Sequence, residues 1–422
     1  MPSDTPAKRI KVAQLPFSAT FKLAYRNILR HRGRTWTTLS AVGFGVAALI
    51  LSQGFVEDVF VQLGEAIVHS QTGHLQLARE GYFEHGAHQP ERFLVADPEG
   101  DKKRIATLPE VEDAMARLSF SGLLNNGRTD LAVVGEGIEA SHEEKLGSFL
   151  RISAGRRLAN ADRFGALVGH GVAQALGLKP GDRTVLLVNT TDGATNSLDL
   201  EVVGVFQSFS KEYDNRAVKI SLAAAQELLN TKGANTLVVS LKKTSDTDKV
   251  NALLKERNVW RDQEVRTWYQ INDFHPKTVA LYNRQFGGLI FIILLMVLLS
   301  VVNAVNTAVF ERTMEFGTAR SLGSRSSDVF RLVMIENTLL GIGGCILGVA
   351  VGIGAANLIS QIGIPMPPPP NADLGYTAYI RVTPTAVAGA ALIGLIATVL
   401  ASLVPAIRVA RMHIATALRQ MT

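Results

Sequence analysis

The chain has one cysteine in 422 residues, Cys345, so any large domain outside the cytoplasm must hold its fold without a disulfide. Cys345 falls in an apolar run and reads as a buried, inert thiol. Four stretches lack Asp, Glu, Lys and Arg altogether: Thr35 to Val56, Gln285 to Phe310, Asn337 to Ala372 and Val382 to Ile407. A bilayer core of ~30 Å takes about 20 apolar residues in a helix, so each stretch can cross one, the third as a single helix before Pro365. Ionisable groups are missing from these spans, which argues against a proton- or ion-coupled carrier. There is no GxxxxGK[ST] phosphate loop and no Gly-Lys dipeptide. The run GEGIEA, Gly135 to Ala140, matches a dinucleotide fingerprint only superficially, since no long helix follows it. His85 and His88 lack a Cys or acid cluster to complete a metal site. No nucleophile motif is present, so no catalytic residue, cofactor or metal is expected.

What is present is a charge pattern. The formal net charge is +6, and its distribution separates topology from nucleic-acid binding. Residues 1 to 34 carry eight Lys/Arg against one acid, 311 to 336 four against four, and 408 to 422 three against none. Residues 57 to 284 carry 27 against 31. The positive-inside rule therefore places both termini in the cytoplasm and the 228-residue block 57 to 284 outside. The long apolar run begins only after the basic lead, which is not the pattern of a cleavable signal peptide.

The expected fold is an α-helical membrane protein with four transmembrane helices and a large α+β periplasmic domain inserted between helices 1 and 2. Residues 1–34 form a cytoplasmic lead whose Phe17, Phe21, Ala24, Tyr25 and Ile28 share one helical face, with Arg26, Arg30 and Arg34 as cations. The spans are 35–56, 285–310, 337–360 and 382–407. Between them lie a cytoplasmic loop (311–336), a Pro-rich outer loop (361–381) and, last, a tail (408–422).

Within 57–284, strands are expected over 73–79, 131–138, 166–169, 184–189, 198–206 and 236–241. Helices are expected over 102–108, 171–176, 222–230 and 246–257. Two lobes are expected, one of 70–160 with 223–275 and one a β-rich insertion of about 165–222. A stalk helix, 269–284, is expected to run into the second span, kinked at Pro276.

Two short segments stand out. Gly344, Gly348 and Gly352, followed by Ala356, form a smooth helical stripe on which another helix backbone can approach closely. The loop ERTMEFGTARSLGSRSSDVFRLVMIEN, Glu311 to Asn337, carries Glu311, Glu315 and Arg320 on a short helix that Gly323 ends, and Ser327-Asp328 can cap the next. A compact charged elbow of this kind suits docking to a soluble partner.

These residues resemble the permease subunits of MacB, LolC/LolE and FtsX type ABC transporters. The similarity covers nearly the whole chain: LAYRNILRHRGRTWTTLSAVGFGVAALIL at the first span, ALVGHGVAQALGLKPGDRTVLLV and LEVVGVFQSFSKEYDNRAVKISLAAAQELL outside, the elbow, and PAIRVARMHIATALR at the end. Arg312, Glu315, Gly317, Arg320, Leu322 and Gly323 carry the family's coupling-loop pattern. Phe316 and Met412-His413-Ile414 depart from it.

The resemblance implies a non-catalytic permease of the bacterial inner membrane, without cofactor. It would pair with a second permease chain, copy or paralogue, and with a separate ABC ATPase that docks at the elbow, Glu311 included. It also implies periplasmic extraction or export of a lipoprotein or hydrophobic substrate. An FtsX-like mechanotransmission module acting on a periplasmic partner, or an efflux permease with a periplasmic adaptor, is the alternative. Membrane lipid is an expected partner and nucleic acid is not.

Overall fold

The computed structural model describes residues 16–86, 90–95, 97–190, 193–256, 263–272, 274–368 and 375–412. His88, Pro369-Pro370 and the tail beyond Met412 lie outside them. The chain divides into two compact units, one of the described residues in Met1–Val59, Leu281–Ile364 and Ala378–Thr422, the other of Phe60–Ala280 and Pro365–Thr377.

Among the described residues four helices are long and apolar enough to cross a membrane: Arg32–Ile67, Phe274–Glu311, Ser326–Ile362 and Pro384–Arg411. Each overruns the charge-free stretch that announced it. The first continues past Val56 because the two acids that follow, Glu57 and Asp58, are partnered rather than solvated. The Tyr379 backbone N–H donates to Asp58 at 2.8 Å, the Arg381 guanidinium lies 3.4 Å from the same carboxylate, and the Thr383 hydroxyl donates to Glu57 at 3.0 Å. In the second helix Pro276 falls in the first turn, where its missing N–H costs no helical hydrogen bond, so the expected kink is replaced by a clean start. The third begins one residue before the expected cap, and Asp328 works from inside its first turn, accepting from the Arg325 N–H at 3.1 Å. Gly363, at φ +73°, stops it.

The lead helix Phe17–Arg30 buries Thr20 and Ala24 and leaves Phe17, Phe21 and Tyr25 exposed. Among the described residues that apolar face has no protein partner, the form a helix lying on a membrane surface requires.

The larger unit is built on ten strands: β1 Leu75–Arg79, β2 Val111–Asn125, β3 Asp130–Ile138, β4 Arg151–Gly155, β5 Gly165–Gly169, β6 Arg183–Asn189, β7 Thr195–Gln207, β8 Ala217–Ser221, β9 Thr236–Leu241 and β10 Gln263–Thr267. Their order is β10-β1-β9-β2-β3-β8-β5-β7-β4, with β6 pairing β2 and β7. The expected strands are all present, and β2, β4, β8 and β10 are additional. Strand β2 pairs β9 through Val111 to Arg117 and β3 from Leu118 onward.

Two hydrophobic cores divide at that point. One gathers Leu75, Ile105, Ala116, Leu237 and Leu254; the other gathers Phe120, Val168, Leu186, Val218 and Leu228. The lobes therefore part within β2: the expected assignment to the first lobe is corrected for 118 to 138 and for 223 to 229, whereas Leu146 packs with Met115 and Val238 of the first lobe as expected. In the GEGIEA run Gly135 and Gly137 lie in β3, where a Cβ would sit 1.9 Å from the Phe120 ring and 2.4 Å from the Ala225 Cβ. These glycines make room for packing. Among the described residues no three His, Cys, Asp or Glu side chains gather as metal ligands, and His85 is exposed.

His74, ahead of β1, is held neutral. Its Nδ1 accepts from the Leu241 backbone N–H at 3.1 Å and its Nε2 faces the Thr244 hydroxyl at 3.0 Å. Burial, reinforced by the neighbouring His69 and opposed by Glu65, pulls its pKa from 6.5 down to about 4. A depressed histidine stabilises the fold fully above pH 6.5 and loses that contribution as pH falls towards 4, up to roughly 3 kcal/mol. Acidification through this window should lower the melting temperature, and His74→Asn should flatten the slope; equal slopes would exclude His74 as the cause.

Candidate functional site: a charged elbow between two membrane helices

The elbow is a nine-residue helix, Thr313–Ser321, set off from Phe274–Glu311 by a break at Arg312. Leu322 closes it, and Gly323 follows at φ +103°, a conformation that strongly favours glycine. The Ser324 N–H bonds the Ala319 carbonyl at 3.0 Å, completing the turn into Ser326–Ile362.

The elbow's charges fall into two sets. Arg312 is buried, and its Nη1 donates to both oxygens of Glu336 at 2.8 and 3.0 Å while its Nε donates to Glu315 at 2.9 Å. Arg34 Nη2 reaches the same Glu336 at 2.9 Å, so one carboxylate clamps the first helix, the break and the third helix. Burial opposes the Arg312 charge, but Glu336 and Glu315 more than offset it and its pKa is raised. Glu315 is affected in the opposite sense: partial burial raises it, Arg312 outweighs that, and it sits below the usual carboxylate range. The Phe316 ring is buried, with the guanidinium of Arg312 5.2 Å from its centroid. Cation–π contact is available to an aromatic side chain at this position and not to an aliphatic one.

The second set is outward. Glu311, Met314, Glu315, Thr318 and Leu322 are exposed and recur at helical spacing on one stripe, with Leu322 88% and Met314 47% exposed. Arg320 is half-buried, and its Nη1 donates to the Met412 carbonyl, tying the elbow to the end of the fourth helix. Gly317 is buried on the inner face. Of the expected residues, Glu311, Glu315 and Leu322 thus face outward, while Arg312, Gly317 and Arg320 face the protein. Met314, Thr318, Arg34 and Glu336 were not anticipated. Counting back in fours from Leu322 would have found Met314 and Thr318, and a lone acid at the edge of an apolar run would have flagged Glu336.

The glycine stripe finds its partner in the same chain. A Cβ on Gly344 would sit 2.7 Å from that of Val42, on Gly348 2.5 Å from the Gly43 carbonyl oxygen, and on Gly352 3.2 Å from the Ala47 Cα. The first and third helices therefore pack backbone to backbone. Cys345, beside them, is buried and donates to the Ala391 carbonyl at 3.4 Å.

Comparison with known proteins agrees on one family. Residues 35–257 match the MacB-like periplasmic core domain, and residues 287–414 match the FtsX-like permease C-terminal region. The lipoprotein-releasing system transmembrane protein LolC of Neisseria meningitidis is 24% identical over 76% of this chain and 76% of its own. The macrolide export ATP-binding/permease protein MacB of a Shewanella species is 22% identical over 86% of this chain. An uncharacterised ABC transporter permease of Methanocaldococcus jannaschii, MJ1507, is 23% identical over 50% of it. The matches span 56% of MacB and 53% of the archaeal permease, about half the length of each. Among solved structures, the periplasmic region of MacB from Actinobacillus actinomycetemcomitans aligns with 47% of this chain and 91% of its own, at 13% identity and a TM-score of 0.35.

Proposed function

Because this chain belongs to the family of ABC transporter permeases with a MacB-like periplasmic core domain and an FtsX-like C-terminal region, we propose that it couples ATP hydrolysis on a separate ATPase chain to extraction or export of a lipoprotein or other hydrophobic substrate on the outer side of the inner membrane. These 422 residues hold no phosphate loop, so the reading places the nucleotide chemistry outside them. The observation that carries the reading is the division of the elbow. An exposed stripe of Glu311, Met314, Glu315, Thr318 and Leu322 offers a docking surface, and the Arg312–Glu336–Arg34 clamp behind it converts a push on that surface into movement of two membrane helices together. The basic excess of residues 1–34 and 408–422 argues for both termini in the cytoplasm; the charge-balanced elbow, two spans from the N-terminus, follows to the same side, with the block 57–284 outside. A second permease chain completes the assembly. A mechanotransmission role with no cargo is the second reading. The unbroken helix Phe274–Glu311 favours it, since a continuous helix transmits displacement along its axis.

The test is stimulation of the partner ATPase in the complex purified from its native membrane. Leu322→Asp together with Met314→Asp places two carboxylates in the apolar part of the stripe and should cut stimulation by about thirtyfold, the effect of losing one interface hot spot. The elbow's inner clamp is untouched, so the melting temperature should hold. Full stimulation by the double variant would remove the elbow from the docking surface.

A further inference from the structure

Between the ends of the second and fourth membrane helices runs a trough of about 920 Å³ that none of the functions above uses. Its walls are mainly apolar, with Val309 and Phe310 on one helix and Val404 and Ile407 on the other, Phe310 69% and Val404 59% exposed, and Asn306, Thr307 and Thr313 add neutral polar groups. At one end stand Arg408 and Arg411, three residues apart in the last turn of Pro384–Arg411 and both exposed. Among the described residues no acidic side chain lines the trough, and no ion pair uses either arginine. A helix end carries partial negative charge that would repel an anion. Here Arg320 donates to the Met412 carbonyl at that end and offsets it.

We propose that this trough is a binding site for an anionic phospholipid, its acyl chain along Phe310 and Val404 and its phosphate between Arg408 and Arg411. A 28-residue helix is about 42 Å long against a hydrocarbon core of ~30 Å, so its last turn stands at headgroup depth while Val404 stands in the acyl region. Apolar walls exposed at that depth meet lipid tails; paired guanidiniums match phosphate oxygens, and a headgroup of net negative charge adds no ammonium of its own to repel them. The proposal requires only that the fourth helix crosses a bilayer. It is independent of the ATPase docking and of the substrate.

Native mass spectrometry of the full-length protein in a neutral detergent tests it, with phosphatidylglycerol and phosphatidylcholine of identical acyl chains as probes. Phosphatidylglycerol adducts should survive at concentrations where phosphatidylcholine adducts do not. Arg408→Gln and Arg411→Gln should each weaken phosphatidylglycerol binding about fivefold, and the pair about thirtyfold, one surface-charge contribution per arginine. Arg408→Lys should retain part of it, as a point charge without the planar fork. Val404→Trp fills the trough and should displace both lipids without touching the arginines. Equal retention of the two lipids by the unaltered protein would overturn the proposal, as would an unchanged preference in the double glutamine variant. A change in the number of protein copies with Val404→Trp, lipid adducts remaining, would assign the trough to a second copy of the chain instead.

Discussion

Lys219→Met destabilises the larger unit by roughly 3–5 kcal/mol, the cost of stranding a buried charge. Lys219 is 0% exposed in the middle of β8. Its ammonium bonds the Glu143 carboxylate directly and lies 3.5 Å from Glu136 on β3. Arg117 on β2 completes the group, 3.7 Å from Glu136 and 3.9 Å from Glu143. Burial opposes every one of these charges. Arg117 and Lys219 nevertheless hold the Glu136 carboxyl below its ordinary range, and the two glutamates hold Arg117 above its own. Two cations against two anions leave the cluster neutral. Removing one cation leaves a net negative charge where water cannot reach it.

Thermal unfolding followed by circular dichroism measures the loss. Lys219→Met with Glu143→Gln restores neutrality and should recover most of it. A single variant that loses less than about 1 kcal/mol would mean that the cluster is solvated and behaves as surface ion pairs do.

The second large effect is steric. A side chain at Gly348 has nowhere to go, because its first atom would lie 2.5 Å from the Gly43 carbonyl oxygen and 2.8 Å from the Val46 Cβ. Backbone cannot rotate aside as a side chain can. Gly348→Val should therefore force the first and third helices apart and cost at least the roughly 1–3 kcal/mol of ordinary overpacking. Gly354, on the same helix, has no heavy atom within 4 Å of a built Cβ. Gly354→Val should leave the melting temperature of the detergent-solubilised protein nearly unchanged. If the two valine variants melt alike, close packing of the stripe is not what holds these helices together.

Much of the membrane unit was legible because a bilayer imposes a crude rule, and charge-free runs of sufficient length obey it. The helix ends were not, since Glu57 and Asp58 look like a boundary until Tyr379, Arg381 and Thr383 are seen to partner them. In the larger unit, β8 escaped notice because AVKIS places a lysine where an apolar residue is expected, and its partner Glu143 lies 76 residues away. The charged start of β2, VEDAMAR, hides a strand for the same reason. At the elbow the motif residues were visible but their division was not. Arg312 reads as a docking charge in the sequence, and only Glu336 and Arg34, the latter two 302 residues apart, turn it inward.

Strand β2 is 15 residues long and belongs to both hydrophobic cores. Neither core can therefore melt while the other stays intact, because releasing β2 from β9 also frees the chain that holds β3 and β6. The two lobes should open as one cooperative unit, with the amides of β2 exchanging only through global unfolding, while the edge strands β4 and β10 fray ahead of them.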